Sequence, residues 1–207
     1  MSAKIVFFGD SITAASRNDL RPLGEGYVSI LADLFKSDSR LAHWEVINSG
    51  INGNTVKDLL NRYGQDVIAY RPDVVVINIG INDAYLDFIE PVDGGEIRMY
   101  QSGLQGLIRD LTQALSHSKL VLFTPYLIVN SRSDEFYQKM TTYGEAVKTL
   151  GAHQGIPVFD VQAVFDEAVK TTPAEAWADD QIHPHREGHD LIAKAAFDFL
   201  QRNLFQP

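Results

Sequence analysis

The chain of 207 residues is 45% apolar, holds no cysteine and carries 27 Asp and Glu against 18 Lys and Arg, a formal net charge of −9. Such a length suits one domain with a sizeable core, and the apolar share excludes a disordered chain. The acidic balance argues against nucleic acid or an anionic membrane surface as main partner, and the missing cysteines exclude disulfides, thiolate metal sites and a cysteine nucleophile.

The N-terminal run Ile5-Val6-Phe7-Phe8 is too short for a signal h-region, and no stretch is long enough to span a bilayer, so a soluble cytoplasmic protein is expected. That run meets Gly9-Asp10-Ser11 without a spacer and reads as a strand buried on both faces, with Ser11 at its carboxyl end. Residues 14–26 are polar and rich in Gly and Pro, a loop at the mouth of the site. Apolar residues at helical spacing predict a helix over 27–35, and a second strand follows over 44–47. It gives way to a loop over 48–55, whose backbone N–H groups can face inward, and Asn54 or Thr55 can cap the next helix. The β-branched run over 74–79 is the clearest strand and ends in Gly80-Ile81-Asn82-Asp83. Residues 84–96, with Tyr85, Phe88, Pro91 and the Gly94-Gly95 pair, are expected to form a loop or short lid before a long helix over 100–115. Further strands are predicted over 119–123 and 156–159, and helices over 134–153 (capped by Ser133), 163–170 and from about Glu187 onward. This alternation of five strands with helices implies a single three-layer α/β/α domain over 1–207, with a mostly parallel sheet of the flavodoxin-like kind.

Parallel strands bring their carboxyl ends to one edge, so four polar clusters should converge: Gly9-Asp10-Ser11, Gly50 to Asn54, Gly80 to Asp83 and Asp180 to His183. A serine nucleophile needs a base within hydrogen-bond reach, a carboxylate to orient that base and donors for the oxyanion. Ser11 can serve as nucleophile and His183 as base. Asp180 can hold the other ring nitrogen, and the Gly53 N–H, the Asn82 amide and the Ser11 N–H are candidate donors. The sequence holds no Gly-x-Ser-x-Gly elbow, which excludes the α/β-hydrolase route. Asp10 reads as a turn-former and site organiser, Asp83 as a pin for the Asn82 loop, and His189 as a solvated or capping residue. Tyr85, Tyr126 and Trp177 are expected to line an acyl or sugar pocket.

These four blocks, in this order along the chain, resemble the SGNH (GDSL) hydrolase family. The resemblance implies an α/β/α sandwich, ester hydrolysis through an acyl-serine, catalytic roles for Ser11, Asp180 and His183, and oxyanion roles for Gly53 and Asn82. The stretches 50–59, 79–83 and 124–126 are similar to a bacterial branch of that family that includes intracellular acetylxylan esterases. That branch often carries tryptophan where Tyr85 and Asp179 stand here. The expectation is therefore a hydrolase of short acyl esters, acetyl above all, on small molecules or sugars. It needs no metal or other cofactor and has no nucleic-acid or membrane partner; a homo-oligomer is left open. Two other classes remain to be weighed: a metal-dependent phosphoryl hydrolase using Asp10, Asp83, Asp180 and His183, and a non-catalytic carbohydrate-binding module. An acyltransferase would use the same residues.

Overall fold

A computed structural model describes residues 3–91 and 95–205 of the chain. Its centre is a five-stranded sheet of β1 (Lys4–Gly9), β2 (Glu45–Gly50), β3 (Val74–Asn78), β4 (Lys119–Phe123) and β5 (Val158–Phe159), all parallel, in the order β2-β1-β3-β4-β5. This is the flavodoxin-like order, and its chain direction switches at β1, with β2 on one side and β3 on the other. Alternate residues of β1 and β3 face opposite layers. Ile5, Phe7, Val74 and Val76 join one apolar cluster, whereas Val6, Phe8, Val75 and Ile77 join the other. Burial on both faces explains why these strands read as unbroken apolar runs.

Helices cover both faces. On the first lie α1 (Ser11–Ala14), α2 (Tyr27–Ser37), α7 (Val161–Ala168) and α8 (Arg186–Leu204). On the second lie α3 (Val56–Asp66), α4 (Ile81–Ile89), α5 (Gly95–Ala114) and α6 (Glu135–Gln154). Among the described residues, no helix is long and apolar enough to cross a membrane.

Three expectations need correction. β2 does not stop at Ile47 but pairs with β1 as far as Gly9↔Gly50. The polar residues at its end are tolerated because each is bonded: Asn48 Nδ2 donates to the carbonyls of Thr13 (2.7 Å) and Leu23 (2.8 Å), and Ser49 Oγ donates to that of Asp66 (2.8 Å). The stretch after Asn82 is helix α4, not a loop or lid, since Ile81, Ala84 and Asp87 fall on one buried face; residues 92–94, including Gly94, lie outside the described residues. The cap of α6 is Asp134, whose Oδ1 accepts from Tyr137 N at 2.9 Å, and not Ser133.

Candidate active site

The carboxyl ends of β1, β2 and β3 lie side by side, and the segment after each contributes one group. Asp10 follows β1 and caps α1, its Oδ1 accepting the Ile12 N–H at 3.0 Å. The cap places Ser11 at the first helical position, where its N–H has no partner within the helix. Helix α1 then lies directly on the end of β2: a Cβ on Gly50 would fall 2.2 Å from Ala14 N, so only glycine lets the two backbones meet.

The partner of Ser11 arrives from the far end of the sequence. Ser11 Oγ lies 2.9 Å from His183 Nε2, and His183 Nδ1 lies 2.6 Å from Asp180 Oδ2. The carboxylate partner assigns the ring proton to Nδ1, which leaves the Nε2 lone pair facing the serine hydroxyl. The loop is built for this. Asp180 Oδ1 accepts the N–H groups of Ile182 (3.0 Å) and His183 (2.7 Å), and Gln181 turns the chain at φ +68°. The Gln181 carbonyl accepts Ile128 N at 2.9 Å, and that of Ile182 accepts the Tyr126 hydroxyl at 3.2 Å, tying the loop to the segment after β4. Partial burial opposes charge on Asp180, yet the hydrogen bonds from the His183 ring and from the two N–H groups prevail and hold its carboxyl below the ordinary range. The neighbouring carboxylate, Asp179, pairs with His185 Nε2 at 3.2 Å and not with His183.

In the loop that follows β2, Gly53 sits at φ +76°, a left-handed turn that an L side chain rarely adopts. Asn82, in the first turn of α4, donates one Nδ2–H to the Asn54 carbonyl at 2.9 Å. An amide nitrogen has two N–H donors, so this bond orients the group and leaves the second donor without a partner among the described residues. The bond also ties Asn82 to the residue next to Gly53. Asp83, expected to pin the segment of Asn82, sits in the same turn of α4 and accepts Val56 N at 3.1 Å (Oδ1) and 3.2 Å (Oδ2), tying the start of α4 to the start of α3. Burial, partly offset by the Val56 hydrogen bond, pushes its carboxyl up to about 6.

Beside Ser11 opens a cleft of about 690 Å³, walled by Ser16, Glu25, Asn52, His183, Arg186 and His189 among others. None of the three expected aromatics lines it. Tyr126 is 1% exposed and packs against Phe165 with ring centroids 4.9 Å apart, so it is core. Trp177 lies over the apolar cluster beneath α8 and donates its indole N–H to the Thr172 carbonyl at 3.2 Å. Tyr85 is exposed on α4, with its ring edge against Phe136. His189 is a further correction: it is buried, stacks on Tyr27, and accepts the Tyr27 N–H at Nδ1 (3.3 Å). Burial and the nearby Arg186 push its ring down to about 4, so it is neutral near neutrality. Helical spacing around Ile192 and Ala193 was the available signal that His189 faces inward.

The residues of the metal reading are each committed elsewhere: Asp10 to its cap, Asp83 to Val56, and Asp180 with His183 to each other. Among the described residues, no group of three or more His, Asp or Glu is placed to hold a metal ion.

A hydroxyl bonded to an oriented imidazole, set at the switch point of a parallel sheet, defines a hydrolase of the serine type on a flavodoxin-like frame. The chain belongs to the GDSL-like lipase/acylhydrolase family, whose sequence pattern matches residues 7–191. It is 35% identical over 201 residues to an acetylxylan esterase of Geobacillus stearothermophilus, covering 93% of this chain and 91% of that protein. It is 29% identical to an arylesterase of Vibrio mimicus, over 98% and 90% of the two chains. The crystal structure of the Geobacillus enzyme, Axe2, matches at a TM-score of 0.87 and 33% identity, over 96% of this chain and 94% of that one. Catalytic mutants of Axe2 replace a serine, an aspartate and a histidine with alanine, the last two positions three residues apart.

Proposed function

We propose that this chain, acting over 1–207 as one hydrolase domain, removes short acyl groups, acetyl above all, from hydroxylated small molecules such as sugars. One observation carries the reading: the unbroken chain Ser11 Oγ, His183 Nε2, His183 Nδ1, Asp180 Oδ2, with links of 2.9 and 2.6 Å. His183 takes the hydroxyl proton as Oγ attacks the ester carbonyl carbon, and the carbonyl electron pair moves onto oxygen. That oxyanion sits among the N–H groups of Ser11 and Gly53 and the free N–H of Asn82. Collapse expels the alcohol oxygen, which takes the proton from His183 and leaves an acyl-serine. Water then repeats the sequence, with His183 again the base, and releases the acid. Asp180 keeps Nδ1 protonated and stabilises the imidazolium that forms twice per turnover.

The cleft beside Ser11 supports the substrate class. Ser16, Glu25, Asn52 and Arg186 suit an alcohol bearing several hydroxyls, as acetylated sugars are. The acetylxylan esterase relative supports acetyl as the acyl group. Activity is read on p-nitrophenyl esters of rising chain length and on acetylated xylo-oligosaccharides. Ser11→Ala should lower kcat/KM by at least about a thousandfold, and acetate should be preferred to octanoate. Near-normal hydrolysis by Ser11→Ala would remove Ser11 as nucleophile, and a preference for octanoate would remove the acetyl assignment.

A further inference from the structure

We propose that Arg62, outside contact with Ser11, is a positioning residue for the oxyanion donors: it locks Asn54, and through it Gly53 and Asn82, to the carbonyl that ends β1 just ahead of the nucleophile. The proposal rests on the reading of Gly53 and Asn82 as oxyanion donors.

Arg62 projects from the middle of α3 and uses four of the five N–H donors of a guanidinium. Nε donates to Asn54 Oδ1 at 2.7 Å, and Nη2 donates to the Gly9 carbonyl at 2.9 Å. Nη1 donates to the Ser49 carbonyl at 2.9 Å and to Asp66 Oδ2 at 2.7 Å. The plane lies against the Phe8 ring, with Cζ 4.4 Å from its centroid. One cation therefore spans the last carbonyl of β1, a terminal carbonyl of β2 and the loop that carries Gly53.

The link to the donors is short. Asn54 offers its side-chain oxygen to Arg62 and its backbone carbonyl to Asn82 Nδ2 at 2.9 Å. Gly53 precedes it at positive φ, where the backbone is freest to drift. The Gly9 carbonyl is two residues from Ser11 and also accepts Ile51 N at 3.1 Å, so the same guanidinium indexes the loop against the nucleophile strand. A flat fork can hold acceptors in three directions; a lysine ammonium on its flexible stem cannot hold them all in that geometry. A displacement of about 1 Å at such donors is enough to cost rate, because they act by preorganisation.

The test compares Arg62→Lys, Asn54→Ala, Asn54→Asp and Asn82→Ala, and the double variant Asn54→Ala/Asn82→Ala, by kcat, KM and melting temperature on p-nitrophenyl acetate. Asn54→Ala keeps the backbone carbonyl that Asn82 uses and removes only the grip of Arg62 on the loop. It should lower kcat about tenfold with KM within about twofold, and Asn54→Asp, which keeps an acceptor, should restore most of it. Arg62→Lys should show the same split. In the Asn82→Ala background, Asn54→Ala should cost about threefold or less, since the donor it positions is gone. Full multiplication of the two losses, or an Asn54→Ala enzyme with normal kcat, overturns the proposal while leaving the oxyanion assignment intact. An Asn82→Ala enzyme with normal kcat overturns the assignment and the proposal with it. Should Arg62→Lys fail to fold, the Asn54 variants decide the matter alone.

Discussion

Asp10 shows how one side chain can serve the site at a cost to the fold. It is 1% exposed; Oδ1 holds the Ile12 N–H, and Oδ2 has no hydrogen-bond partner among the described residues. Burial, helped by the charge of Asp83 and opposed by the Ile12 hydrogen bond and Arg62, raises its carboxyl from 3.8 to about 7. A carboxyl whose pKa rises on folding favours the folded state only while protonated. Its contribution is complete below 3.8 and lost as pH climbs through about 7. The full shift corresponds to roughly 4 kcal/mol. His189 works in the opposite sense, its stability present above 6.5 and lost as pH falls toward 4. Asp10→Asn isolates the first effect, because asparagine still caps α1 and His189 is unchanged. Melting temperatures from pH 4 to pH 8 should show the variant gaining on the parent as pH rises, with the difference growing most between pH 5 and 7. Parallel curves would mean that Asp10 does not change its protonation between folded and unfolded chains.

Helix α4 shows how an element is docked so that its first turn holds Asn82, the proposed oxyanion donor, in place. Its buried Asp87 accepts the Tyr143 hydroxyl at 3.0 Å and Lys139 Nζ at 3.1 Å, both from α6. Asn82 stands at the opposite end of the helix, beside Asn54. Asp87→Ala would leave a fully buried tyrosine hydroxyl without its acceptor and a partly buried ammonium without its counter-ion, a loss of about 2 kcal/mol. The melting temperature should fall by roughly 5 °C. Because Asn54 and Gly80 still hold the first turn, kcat at 25 °C should stay within about threefold. An unchanged melting temperature would show that the α4 to α6 contact carries no stability.

Across the entire chain, the two apolar layers make a rigid sheet whose edge gathers residues 172 positions apart, Ser11 and His183, into one hydrogen bond. The proposed mechanism uses no metal: Asp180 serves the imidazole, Asp83 accepts the Val56 N–H, and Asp10 Oδ1 accepts the Ile12 N–H. Dialysis against EDTA should leave ester hydrolysis unchanged, and an organophosphonate should inactivate the enzyme at one equivalent per chain. Loss of activity on dialysis, restored by a divalent cation, would revive the metal reading.

Much of this was written locally in the amino-acid order. Apolar runs closed by Gly, Asp and Asn mark strand ends, and a parallel sheet places all such ends at one edge, so Ser11 and the loops holding Gly53 and Asn82 are expected together. Asp180 and His183 follow no strand and enter through the serine's need for an oriented base. The fate of polar and aromatic side chains could not be read the same way, because it depends on partners distant along the chain. Asn48 continues a strand because Thr13 and Leu23 accept its amide, and Asp87 lies inward because α6 meets it. Tyr126 packs in the core against Phe165, and although helical spacing points His189 inward, only the fold brings Tyr27 to it. Arg62 gave no local signal, for in sequence it is one more cation on an amphipathic helix. Burial of a polar group is settled by whichever distant donors and acceptors the fold brings to it, and periodicity carries no record of those.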